Sequence, residues 1–377
     1  MGIWMAMAIS MAAAGTAGTV ARGEPIDLLA SMELWERDGG GAESFTIQEG
    51  LLQAHWTRHE PAHLLTRADY ENFELSFECK IDEWGESGLY IHAPRNGAYR
   101  AGLELELSNY YGGDASEHSA CSIFRHVAPQ AIPMKPAGQW NAVHVRMDWP
   151  HLVVRINDEC VHDLDLSAHP ELKYKLRRGA IGFQNLGWGV EVRNMVLRPL
   201  PDTENAVALF NGQDLTGWSV DGGQATWEVH DGAIRGSGDG YLKHERVDED
   251  FDLRLYLRTS SAANGGIYFR WLGMEPFRDR GHEIQVLDVP GAIMTTGSIY
   301  GIARGNDLLI TPGDGQLVQL FVRGREAVVY LNGELCSRTD RLTHVRTGHI
   351  CLQAHRGGTW IDHKELYLVP ADAKRER

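Results

Sequence analysis

Three polar side chains, Glu283, Gln285 and Asp288, stand in the otherwise apolar run GHEIQVLD over Gly281–Asp288. In an extended strand successive side chains point to opposite faces, so Glu283 and Gln285 share one face while Ile284 and Val286 serve the other. A carboxylate among apolar neighbours is partly desolvated, which moves its pKa toward the range useful to a general base. An amide on the same face can orient hydroxyl groups. The face is therefore either solvated or the lining of a groove for a polar ligand. Arg270 ends the run GGIYFR, where its guanidinium could hold an anionic oxygen or pair with Glu283 or Asp288. His355 in LQAHRGG comes just before a Gly-Gly turn, where it is either a proton donor at a groove mouth or a ring satisfied by loop backbone. Gln353, His282 and Tyr300 (in GSIYG) complete the set of ligand-binding candidates; Asp288 either joins them or caps the turn before Pro290.

These groups need a scaffold, and the scaffold is repetitive. FTIQEGLL from Phe45 resembles WEVHDGAI from Trp227, and ENFELSFECK from Glu71 resembles EDFDLRLYLR from Glu249. SGLYIHAP (Ser87) pairs with GGIYFRWL (Gly265), AGLELELSN (Ala101) with RGHEIQVLD (Arg280), and LVVRINDECV (Leu152) with AVVYLNGELC (Ala327). The order is kept at an offset of roughly 170 to 183 positions, which makes the chain a tandem duplication. Residues 28–198 form the first, more diverged domain, 199–206 a linker, 207–370 the second domain and 371–377 a charged tail. Within each copy, alternating runs such as FELSFECKI and LELEL are punctuated by Asn-Gly, Asp-Gly and Gly-Gly, with YLNGEL the strongest hairpin signal. Roughly ten or more strands per copy without a helical period give an all-β, two-sheet sandwich of jelly-roll type. Trp218 and Trp227 fall in these alternating patterns and are expected in the core.

Composition narrows the partners. The 377 residues carry a formal charge of −15 and no long Lys/Arg run, which argues against nucleic acid. No later segment is long enough to span a membrane. An apolar stretch from Ile3 to Ala14, followed by Thr19-Val20-Ala21, gives residues 1–22 the form of a signal peptide whose n-region lacks basic residues; the expected location is secreted or periplasmic. The five cysteines are scattered singly and are expected to be structural. His55, His59 and His63 recur every four residues, but Pro61 interrupts any helix that would cluster them as zinc ligands, so no metal site is expected. The sequence requires no cofactor and leaves a divalent cation open. It does not fix the oligomeric state.

The motifs LFNGQDLTGW, WEVHDGAI, GGIYFR, GHEIQVLD, GSIYG and LQAH, in this order, resemble the 3-keto-disaccharide hydrolase domain family. The resemblance implies two tandem concanavalin/laminin-G-like jelly-roll sandwiches and an oligosaccharide or glycoside substrate with a ketone at C3. Such a ketone acidifies the C2 proton and lies β to the glycosidic oxygen, so elimination followed by hydration amounts to hydrolysis. A base, an enolate stabiliser and an acid are needed. Glu283 is the expected base, Arg270 the stabiliser and His355 the acid. In the first copy Glu104 stands opposite Glu283, Glu106 opposite Gln285, Asn109 near Asp288, His92 at Arg270 and Leu186 at His355. Two of three active positions differ, which places catalysis in the second copy. The alternative is a non-catalytic, lectin-like carbohydrate-binding protein; a protein-docking module is disfavoured because the strands alternate cleanly.

Overall fold

A computed structural model of the chain describes residues 23–55, 61–95, 97, 99–109, 113–187, 189–273, 281–289, 291–306, 312–343 and 345–371. The proposed signal segment, His59 and nearly all of the charged tail lie outside them. The chain divides into two compact units between Glu204 and Asn205. Each is an all-β sandwich of jelly-roll type.

In the first unit one sheet runs in the order Glu159–Asp165, His151–Ile156, Trp140–Asp148, Phe73–Ile81, Val190–Pro199, Leu51–Ala54, Phe45–Gln48, with Ile26–Asp27 added on Val190–Pro199. The facing sheet has five strands: Trp35–Asp38, Ala62–Thr66, Ala180–Asn185, Glu86–Ala93 and Leu103–Ser108. In the second unit the two layers are stitched together by strands that run through both. Ala233–Asp248 pairs along nearly its whole length with Gly348–Pro370 as far as His363, with register shifts after Ser237 and after Lys243.

Alternation explains why these segments are strands. In Phe251–Thr259 the residues Phe251, Leu253, Leu255 and Leu257 are buried in the core while Asp252, Arg254 and Arg258 point away. Each such leucine contributes about 1.5–3 kcal/mol on leaving water. The YLNGEL hairpin forms as the sequence predicts, with Asn332 and Gly333 at φ 50° and 78°, the left-handed pair that a two-residue turn between twisted strands requires. Trp218 lies in the core and Trp227 packs against it.

One irregularity is repeated in both units. The strand Asn264–Trp271 bulges before Trp271, with Arg270 at φ 52°; the strand Glu86–Ala93 has His92 at φ 60°. Two glycines make room for that backbone. A Cβ on Gly281 or Gly348 would meet the Arg270 carbonyl group at 2.5 or 2.3 Å, and one on Gly102 or Gly179 would meet that of His92 at 2.7 or 2.4 Å.

Candidate functional site

The strand His282–Leu287 pairs with Asn264–Trp271, which pairs in turn with the first half of Gly348–Pro370 and so with the second half of Ala233–Asp248. Ile284, Val286, Ile267, Phe269, Leu352 and Leu242 face the core. The opposite face therefore carries Glu283 and Gln285, Tyr268 and Gly266, Cys351 and Gln353, and Lys243 and Tyr241, in two ladder rows.

Glu283 is half-buried at one end of its row. Tyr268, directly opposite, donates from its hydroxyl to Glu283 Oε2 at 2.8 Å. The carboxyl leans over Gly266: a Cβ there would meet Glu283 Oε1 at 2.3 Å, so the glycine leaves the space that the carboxyl fills. Burial pushes this carboxyl up to about 7, against the Tyr268 hydrogen bond that favours its ionised form. The phenol of Tyr268 is raised by the same burial and by Glu283 beside it, so it stays neutral. Tyr241 stacks on Trp271 at 5.1 Å, Tyr268 meets both rings edge-on, and Trp271 Nε1 donates to Asp221 at 2.6 Å. Gln353 Nε2 donates to the Tyr241 hydroxyl at 3.0 Å, and Gln285 Nε2 to Asn264 Oδ1 at 2.9 Å. Two amides thus flank the bare floor at Gly266.

The expected residues do not all assemble here. Glu283, Gln285 and Gln353 share the face. Tyr300 joins them: its backbone N–H donates to the Glu283 carbonyl at 2.9 Å and its ring is exposed. Arg270 does not. It is fully buried, donating from Nε to the Glu249 carbonyl, from Nη1 to the Gly324 carbonyl and from Nη2 to Asp250 Oδ1, each at 2.8 Å. It pins the bulge and pairs with neither Glu283 nor Asp288. His282 points into the core, where its ring stacks on Phe269 at 5.1 Å, its Nε2 accepts from the Thr343 backbone N–H, and burial pushes it down to about 4. Asp288 holds a turn, accepting from Thr296 Oγ1 at 2.8 Å. His355 is half-exposed and lies 3.4 Å from Asp239. Gly265 pairs with Ala354 and Asn264 with Leu287, so His355 stands two strands across and four residues along from Glu283, about 10 Å by about 14 Å. That is too far for the two groups to serve adjacent atoms of one sugar ring.

The first unit repeats the frame. Tyr90 pairs with Glu104, Gly88 with Glu106, and a Cβ on Gly88 would meet Glu104 Oε1 at 2.1 Å, as at Gly266. Tyr99 stacks on Tyr90 at 5.0 Å and on His63 at 4.0 Å, and the Tyr90 hydroxyl lies 3.3 Å from His63 Nδ1. Burial and the neighbouring Glu86 push Glu104 up to about 7; burial, Glu104 and Glu86 push Glu106 up to about 8. His92 is buried like Arg270, with ring nitrogens 2.9 and 2.8 Å from the Leu176 and Glu71 carbonyls. His63 and His55 go separate ways, His55 meeting the Thr46 hydroxyl at 2.7 Å. Tyr268, Gly266, Tyr241 and Lys243 were not among the sequence candidates, although alternation puts Tyr268 on the face of Glu283 once the pairing is known. An open depression bounded by Asp82, Glu83, Trp84, Ala137, Gly138, Gly187 and Gly189 offers an exposed indole and no such carboxyl–phenol pair.

Two consequences are measurable. Gly266→Ala displaces the Glu283 carboxyl by about an ångström or more, and misplacement on that scale lowers turnover about 100-fold; steady-state kinetics and a melting curve separate this from misfolding. In the first unit, folded Glu104 and Glu106 hold protons more tightly than the unfolded chain does. Their contribution to stability is therefore fully present below the ordinary carboxylate range and is lost as pH rises through about 8. The unfolding midpoint of the wild type is higher at pH 5 than at pH 8.5, and Glu106→Gln flattens that slope.

Comparison with known proteins follows the same division. The model of the 3-keto-α-glucoside-1,2-lyase-like domain matches the chain twice, over residues 27–198 and 205–366. No curated protein matches. Among solved structures, the chain is similar to a "Putative glycosyl hydrolase" from Parabacteroides distasonis ATCC 8503 (20% identity, 47% of this chain and 100% of that one, TM-score 0.42). A second protein of that description from the same organism gives 18% identity over 48% and 94%, TM-score 0.41. The carbohydrate-binding module CBM66 of Bacillus subtilis gives 13% over 45% and 99%, TM-score 0.33. The chain is a carbohydrate-active protein built from two domains, and it belongs to the family of 3-keto-α-glucoside-1,2-lyase-like domains.

Proposed function

We propose that the second domain cleaves 3-keto-glycosides by elimination, with Glu283 as the base. The observation that carries this reading is a single half-buried carboxyl, raised to about 7, held by a neutral phenol over a glycine floor. A sugar ring laid over Gly266 presents its C2 proton to Glu283. The carboxylate takes that proton, electron density moves to the C3 oxygen, and the C1–oxygen bond breaks to release the aglycone. With Arg270 in the core, the enolate oxygen falls to the amide of Gln353, because Gln285 Nε2 already donates to Asn264 Oδ1 and to the Gly265 carbonyl. The leaving oxygen takes its proton from Tyr300, the exposed phenol next to Glu283 on the ladder, rather than from His355. Water added across C1 and C2 then completes a net hydrolysis. The segment 1–22 supports export of this activity.

Product formation from a 3-keto-disaccharide, run beside the unoxidised parent for wild type and Glu283→Gln, tests the reading. The keto sugar alone is cleaved, and the variant loses that cleavage. Binding of both sugars without turnover of either would instead establish a lectin-like protein.

A further inference from the structure

The first domain departs from the second at two chemical points: Phe124 stands opposite Glu104 where the phenol of Tyr300 stands opposite Glu283, and the neighbouring amide is replaced. Where the second domain has the amide of Gln285, the first has the carboxyl of Glu106, almost fully buried at 4% exposure. Glu104 and Glu106 lie two residues apart on one face, about 7 Å between their Cα atoms, with Leu103, Leu105 and Leu107 turned to the core. The next element extends the sheet past them: the Glu106 backbone N–H donates to the Ser122 carbonyl and that of Phe124 to the Glu104 carbonyl. The second domain has the same ladder, with Ser298 opposite Gln285 and Tyr300 opposite Glu283. The serines then diverge. Ser298 Oγ accepts from the Gly305 N–H at 2.9 Å, so it is satisfied within the fold. Ser122 Oγ, fully buried opposite Glu106, has no hydrogen-bond partner. Ser108 Oγ, buried beside Glu106 on the same face, is turned to the Glu106 carboxyl, a contact that favours its ionised form. A fully buried hydroxyl left open beside a buried acid pair, among the described residues, marks a place that a polar ligand completes.

We propose that the first domain is the hydration site for the unsaturated keto sugar released by elimination, with Glu104 and Glu106 as a base and acid pair. The assignment rests on the elimination reading of the second domain. Adding water across C1=C2 conjugated to a C3 ketone needs two opposite proton movements. The Glu104 carboxylate takes a proton from water as the water oxygen bonds to C1, and the electron pair moves through C2 to the C3 oxygen. The protonated Glu106 then delivers its proton to C2, restoring the ketone. The water is consumed and the two carboxyls exchange their proton states, to be reset through solvent. Glu104 beside Glu106 helps push the Glu106 carboxyl up, so the two carboxyls hold their protons unequally and one can serve as acid while the other serves as base. Ser122 supplies its hydroxyl to the sugar or to the attacking water, and Glu104 is paired on the ladder with Tyr90 as Glu283 is with Tyr268.

The test supplies the α,β-unsaturated 3-keto sugar directly and follows loss of its conjugated ultraviolet absorbance. Glu104→Gln and Glu106→Gln each slow its removal at least 100-fold relative to wild type. Glu106→Gln reproduces the Glu-x-Gln pattern on which the second domain already folds, and melting curves confirm that the variants are intact. Hydration lost in Glu283→Gln but kept in both first-domain variants would overturn the proposal, as would a wild type inert toward this sugar. Because the unsaturated sugar is added ready-made, neither result depends on whether the chain cleaves a keto-disaccharide.

Discussion

Glu283→Gln lowers turnover of a 3-keto-disaccharide by about 100- to 10,000-fold, the range over which a positioned general base acts, and leaves the fold intact. The amide is isosteric, so it occupies the space over Gly266 and still accepts from the Tyr268 hydroxyl. It cannot take a proton. In the wild type the working form is the carboxylate, and its conjugate acid titrates at about 7. The sign follows: kcat/KM rises with pH, reaches half its plateau near 7 and is flat above. Tyr268→Phe removes a hydrogen bond that favours the ionised form, so it moves that midpoint to higher pH while keeping the plateau within about tenfold. A Glu283→Gln enzyme with unchanged turnover would move the base elsewhere on this face.

Much of the fold was readable in the residues. Period-two alternation marked strands such as Phe251–Thr259, Asn-Gly marked the hairpin at Asn332, and the repeated motifs fell in the same order in both halves. Local pattern also placed Glu283 and Gln285 on one face. It failed where a strand breaks its own alternation. Counting by twos from Tyr268 puts Arg270 beside Glu283, but the bulge before Trp271 turns the arginine inward and brings Trp271 onto the site face in its place. The clue lay in glycines far apart in sequence, Gly281 and Gly348, whose bareness matters only once the strands are paired. His355 was misjudged for a related reason: nearness of motifs says nothing about how many strands and ladder rows separate them. The differences His92 for Arg270 and Leu186 for His355 point catalysis to the second copy, yet neither Arg270 nor His355 lies beside Glu283 and Tyr268. Tyr90, Gly88 and Glu104 hold the ladder positions of Tyr268, Gly266 and Glu283.

Arg270→Met costs on the order of 3 kcal/mol of second-domain stability. The guanidinium is the donor for the Glu249 and Gly324 carbonyls and for Asp250, and methionine fills the volume while leaving those acceptors bare. Buried acceptors without donors cost about 1–3 kcal/mol each, and an ion pair broken on one side costs more than the pair was worth. Denaturant unfolding followed by tryptophan fluorescence measures the loss. A groove arginine that steadied an enolate would show the opposite pattern, with stability unmoved and turnover lost. Arg270→His sharpens the distinction. His92 spans the Glu71 and Leu176 carbonyls in the first domain, and Arg270 contacts the equivalent Glu249 and Val345 carbonyls in the second. An imidazole at 270 can therefore hold the same two connecting segments, at Glu249 and Val345, and is expected to recover a good part of the stability lost in the methionine variant. If it does, arginine and histidine are two solutions to one packing requirement, and the difference between the copies at this position is unrelated to which of them does chemistry.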